Sequence, residues 1–188
     1  MPGTIIDGKA IAADVRREVR EESDRLAARG KRRPGLAVVL VGDDPASSIY
    51  VRNKRAACEE CGFVSVSHDL PHSATQTELV HLIERLNLDA AIDGILVQVP
   101  LPEHIDERAV IEAISPAKDV EGLHSTNLGY LIKYKRFLDE ARGIKCVVPA
   151  TAKAVVKILQ AYPEIPIEGA FAVIVNNSMR VGKPLGLM

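Results

Sequence analysis

The chain has 188 residues, 47% hydrophobic and 26% charged, a balance that suits a soluble globular protein with its own core. Its 24 basic and 25 acidic side chains leave a formal net charge of −1, which argues against a nucleic-acid partner. No apolar run approaches the roughly 18 residues of a membrane span and no charged-then-apolar leader opens the chain, so a cytoplasmic protein is expected, or in a eukaryote an organellar one.

Taken in chain order, Ile5-Ile6 suggests a short first strand. Residues 9–29 are rich in Ala, Arg and Glu with apolar residues at 11, 15, 19 and 26, which predicts an amphipathic helix ended by Gly30. Lys31-Arg32-Arg33 before Pro34 reads as a solvated loop. Leu36 to Val41 is continuously apolar between Pro34-Gly35 and Gly42-Asp43-Asp44-Pro45, the pattern of a strand buried on both faces. A helix over Ser47–Cys61 stops at Gly62, and Phe63–Leu70 alternates as a strand. Thr75–Asn87 reads as helix, with Thr75 and Glu78 at capping-box spacing. Gly94–Val99 is a second buried strand, ended by Pro100-Leu101-Pro102, and residues 105–114 form a further helix. This alternation predicts an α/β fold, three layers around a parallel sheet, with ligands beyond the carboxyl ends of its strands.

Residues 1–122 are expected to form this domain, with 123–147 a linker region and 148–188 the start of a second unit. There, a helix over 151–162 precedes an apolar strand at 170–175 and the polar turn Asn176-Asn177-Ser178-Met179-Arg180-Val181-Gly182-Lys183-Pro184. A strand running into such a turn and a helix opens a nucleotide-binding βαβ unit. A complete βαβ unit takes about 30 residues or more, so this segment is expected to belong to a longer chain or to lean on a partner.

Ser47, Tyr50 and Lys54 are spaced i, i+3, i+7 and share one helix face. A lysine near its ordinary pKa of about 10.4 serves proton transfer at neutrality only if burial or a neighbour lowers that value. Cys58-Glu59-Glu60-Cys61 has no second pair to complete a zinc site and lies late in its helix, so both thiols read as buried and inert. No metal is expected.

Several motifs stand in order along the chain: Ile5-Ile6-Asp7-Gly8-Lys9, Pro34-Gly35-Leu36-Ala37, Asp93-Gly94-Ile95-Leu96-Val97-Gln98, Lys118-Asp119-Val120-Glu121-Gly122, Asn127-Leu128-Gly129 and Val181-Gly182-Lys183-Pro184-Leu185. Together with Tyr50 and Lys54 they give a sequence that resembles the bifunctional methylenetetrahydrofolate dehydrogenase/methenyltetrahydrofolate cyclohydrolase family. The resemblance implies a folate domain followed by the start of a Rossmann-like NAD(P)-binding domain. It implies Lys54 as the general acid/base of methenyl hydrolysis, Tyr50 ordering the folate ring and the amine, and Gln98 holding the lysine. Ser47, Val97, Val99, Pro100 and Glu121 are implied at the substrate. Asn176, Asn177 and Ser178 are implied at the phosphates of NADP or NAD. Tetrahydrofolate derivatives are the implied partners, in a homodimer, with neither nucleic acid nor membrane.

Three departures from the family pattern bear on activity. Glu121 stands where the family has aspartate, and Pro149-Ala150-Thr151-Ala152 replaces a Pro-Cys-Thr-Pro motif. Asn176 replaces the first glycine of the phosphate turn. Glu121, Ala150, Ala152 and the expected absence of the family's C-terminal half from this chain favour a rival reading, a non-catalytic relative that binds folate or a protein partner; the intact set Ser47, Tyr50, Lys54 and Gln98 opposes it. Tyr50-x-x-x-Lys54 also matches the pair of short-chain dehydrogenases, but those chains carry a glycine-rich turn first and the pair later, the reverse of this order.

Overall fold

The computed structural model describes residue 3 and residues 5–188. Its centre is a parallel sheet of three strands in the order β2-β1-β3, formed by β1 (Gly35–Val41), β2 (Val64–Leu70) and β3 (Gly94–Val97). Val39 of β1 stands opposite His68 of β2 and Val97 of β3, so all three strands end at one edge.

Successive side chains of a strand point to opposite faces, and β1 uses both. Ala37, Val39 and Val41 pack with Leu79, Ile83 and Val110 of α3 (Gln76–Leu88) and α4 (Glu107–Ala113). Val38 and Leu40 pack on the other side with Val51 of α2 (Pro45–Glu60) and Leu96. This is the expected three-layer arrangement. A continuous apolar run is what a strand covered on both faces requires.

Local chemistry sets the ends of the helices. Asp7 caps α1 (Gly8–Ala28) by accepting from the amides of Lys9 and Ala10. Asp44 accepts from the Ser47 amide at 2.7 Å and Pro45 fills the first turn of α2. The capping box of α3 is formed in both directions: Thr75 N–H donates to Glu78 at 2.7 Å, and Glu78 N–H donates to Thr75 Oγ1 at 3.2 Å. Asp106 caps α4, which starts two residues later than the periodicity suggests. Among the described residues no helix is long and apolar enough to cross a membrane.

The sequence reading fails in three places. Ile5 and Ile6 are exposed and pair with no strand. The span read as a linker holds α5 (Ser125–Ile132) and an antiparallel pair, β4 (Phe137–Asp139) with β5 (Ile144–Lys145). After α6 (Ala150–Gln160), residues 170–175 form no strand, and Phe171 and Val175 are each 95% exposed. Apolar composition marks a segment that would be buried, but a strand also needs partners for its amides and carbonyls, and among the described residues this segment pairs with no strand. The chain closes with a short helix, α7 (Gly182–Leu187).

Gly122 has a φ of 69°, and a Cβ there would lie 2.6 Å from the Val148 carbonyl carbon. Both backbone hand and close approach exclude a side chain. Gly122→Ala should lower stability by about 2 kcal/mol or more in urea denaturation. Gly129, inside α5 with open space around it, gives the opposite case: Gly129→Ala should raise stability by up to about 1 kcal/mol.

Candidate active site

Parallel pairing places the end of β3 beside the helix that follows β1. Gln98, the first residue past β3, is fixed by its amide, which donates to the Val39 carbonyl at 2.8 Å. Its side chain is buried, and Nε2 donates to the Val99 carbonyl at 2.7 Å. That orientation leaves Oε1 free to accept from Lys54 Nζ at 3.1 Å. A lysine from α2 and a carboxamide from β3 thus meet at the carboxyl edge of the sheet.

Glu121 completes the cluster, its Oε1 lying 3.9 Å from Lys54 Nζ. Its loop is held by a residue the sequence reading passed over. Asp119 is 2% exposed, and its carboxylate accepts from the amides of Glu121 (3.1 Å), Gly122 (2.9 Å) and His124 (2.9 Å) and from Asn127 Nδ2 (3.0 Å). Asn127, fully buried, also accepts from the Val147 amide at 3.1 Å and donates to the Pro116 carbonyl at 2.9 Å. The one sequence cue for this hub is an acidic residue two positions before Glu121, in a stretch dense with turn formers.

Burial governs the electrostatics. It pushes the Lys54 ammonium below the usual lysine range, while the Glu121 carboxylate acts the other way. Burial likewise raises Glu121, against the positive charges of Lys54 and Arg180. Arg180 itself pairs with Glu107 at the start of α4. The outcome is an amine poised nearer neutrality beside a carboxylate that resists ionisation.

The other expected residues divide. Ser47 is buried, one helix face inward with Lys54. Tyr50 is 61% exposed and makes no hydrogen bond to the cluster among the described residues. Pro100 is exposed and Val99 half-buried at the rim. Val97 instead belongs to the core against α3 and α4, because strand alternation turns it to the same face as Ile95. Cys58 and Cys61 are buried free thiols, and burial raises both. Ala152, in place of a family proline, is fully buried, and Ala150 opens α6.

At the far end of the chain, Asn176 and Ser178 form a closed turn before α7. Asn176 Oδ1 accepts from the Ser178 amide (2.9 Å), the Ser178 hydroxyl (2.8 Å) and the Gly182 amide (3.0 Å). Tyr134 is the one non-glycine residue with positive φ among the described residues, so Asn176 closes the turn with its side chain, without a left-handed backbone. Asn177 is exposed.

Fold and cluster together define an α/β protein with a half-buried, hydrogen-bonded amine at the carboxyl ends of parallel strands, an arrangement suited to proton transfer. Comparison with known proteins gives the family. The tetrahydrofolate dehydrogenase/cyclohydrolase catalytic domain matches residues 6–121, and the chain belongs to that family. The bifunctional protein FolD of Moorella thermoacetica is 50% identical over 188 residues, covering 100% of this chain and 63% of its own length. The FolD methylenetetrahydrofolate dehydrogenase/cyclohydrolase structure from Campylobacter jejuni matches with a TM-score of 0.89 at 43% identity, over 98% of this chain and 62% of that one. The Trypanosoma brucei enzyme, solved with NADP cofactor and inhibitor, matches with a TM-score of 0.89 at 36% identity, over 100% of this chain and 61% of that one. The chain thus spans just over three fifths of the length of these relatives.

The sign of the Lys54–Glu121 coupling is testable without substrate. The carboxylate favours the charged amine, so Glu121→Gln should let Lys54 lose its proton at lower pH than in the unsubstituted protein. NMR titration of side-chain-labelled lysine would show it; an unchanged or higher midpoint would mean that the carboxylate does not act on the amine.

Proposed function

We propose that the cluster hydrolyses 5,10-methenyltetrahydrofolate to 10-formyltetrahydrofolate, with Lys54 as the proton carrier. The observation that carries this reading is the Lys54 ammonium, half-buried and held at 3.1 Å by a carboxamide whose other end is fixed to backbone. The substrate carbon is cationic, and a second positive charge beside Lys54 further favours the neutral amine.

Water then adds to that carbon, and its proton passes to Nζ. In the resulting carbinolamine the bond from carbon to N5 breaks. The ammonium returns its proton to N5, and the hydroxyl proton leaves to solvent as the formyl group forms on N10. Gln98 keeps Nζ on one line of approach throughout. Tyr50 and Glu121, at the rim and beside the amine, are assigned to the folate ring.

The second activity of this lineage, oxidation of 5,10-methylenetetrahydrofolate with NADP or NAD, is assigned to residues 148–188, and the NADP held by the Trypanosoma brucei relative supports that cofactor. When bound, the nicotinamide would accept hydride from the methylene carbon. The turn offers donors that suit a phosphate, namely the amides of Ser178 and Gly182 and the Ser178 hydroxyl, although Asn176 now engages them. Ala150 and Ala152, which replace the cysteine and proline of the family motif, favour the rival binding-only reading.

Absorbance decay of 5,10-methenyltetrahydrofolate, corrected for buffer hydrolysis, separates the two. Lys54→Met should slow the decay at least about a hundredfold while folate binding persists. Equal rates for variant and unsubstituted protein would end the Lys54 mechanism, and no catalysed decay with folate retained would favour the binding-only reading.

A further inference from the structure

Within the dinucleotide reading of the second unit, one residue of this chain stands against it. A phosphate at such a turn is recognised by main-chain amides that point at it unpaired. Here those amides are already paired. Asn176 Oδ1 takes the amides of Ser178 and Gly182 at 2.9 and 3.0 Å and the Ser178 hydroxyl at 2.8 Å. Ser178 Oγ takes the Val181 amide at 3.1 Å, and the Ser178 carbonyl takes the Lys183 amide at 3.1 Å. The turn is also tight: a Cβ on Gly182 would lie 1.9 Å from the Asn176 carbonyl oxygen.

We propose that the Asn176 carboxamide is a built-in competitor of the cofactor phosphate, occupying with a neutral oxygen the donors that an anionic oxygen would use. Binding of NADP or NAD then requires the side chain to swing out. Asn176 is exposed, and the cost of that movement is the set of hydrogen bonds given up to water. Affinity for the dinucleotide is lowered by that cost, and the turn stays ordered without a ligand. The position needs no special backbone: Asn176 is not in the left-handed region, so a smaller side chain can replace it without strain.

Isothermal titration of the whole 188-residue chain with NADP tests this, comparing the unsubstituted protein with Asn176→Gly and Asn176→Ala, each checked for folding by thermal melting in circular dichroism. Both variants should bind at least about tenfold more tightly, the equivalent of one or two net hydrogen bonds. A gain in both assigns the effect to the carboxamide. Unchanged or weaker affinity overturns the proposal, as does a gain confined to glycine, which would reflect backbone freedom, and as does failure of all three proteins to bind. Lys54-dependent methenyl hydrolysis, which does not use this turn, reports separately on the functional reading.

Discussion

The pairing of β1 with β3 is the constraint on which the site depends. Parallel strands in register end together, so the segment after each strand emerges at the same edge of the sheet. After β1 comes α2, carrying Lys54 inward; after β3 comes Gln98, anchored through its amide to Val39. Burial of β1 on both faces makes that register costly to slip, since moving it by one residue would exchange the faces that Val38 and Val39 present. The distance from amine to carboxamide is therefore set by the core. No flexible loop positions either group.

Glu121 reaches the amine differently. It sits on a loop whose shape is dictated by a buried carboxylate, Asp119, bound to three amides and one carboxamide. A buried carboxylate of this kind is tolerated because four donors meet it, three of them main-chain amides. Gly122 lets the loop turn against Val148 and Pro149, so the acidic loop abuts the segment that opens α6. The longer reach of glutamate over aspartate is thus not free to relax by moving the backbone. It must be absorbed by the side chain, where a shift of about 1 Å is enough to matter for catalysis.

Legibility in the sequence followed the range of the interactions. The capping box of α3 and the two apolar strands are local features and were readable, whereas the Asp44 cap starts α2 at Pro45, two residues before the expected Ser47. Lys54 and Gln98 could be brought together from topology, because strand order alone sends both to one edge. Asp119 could not, since its role rests on partners up to eight positions away and on Asn127, which packs in a helix too short to show a period. Residues 170–175 mark the converse limit: composition reports what a segment would bury, and carries no information on whether neighbours are present to cover it. Val97 stands in the same motif as Gln98, but strand alternation sends its side chain into the core.

Charge also links the Lys54 cluster to the residues around the Asn176 turn. Arg180 follows the Asn176 turn, pairs with Glu107 on α4 and lowers the proton affinity of Glu121, as Lys54 does from the other side. Glu121 therefore feels the positive charges of both Lys54 and Arg180. Lys54, Glu121 and Arg180 thus form one electrostatic group, with Glu121 the carboxylate on which both cations act. That coupling needs no change in the sheet or in the Gln98 hydrogen bond, because it acts through the one charged partner that Lys54 and Arg180 share.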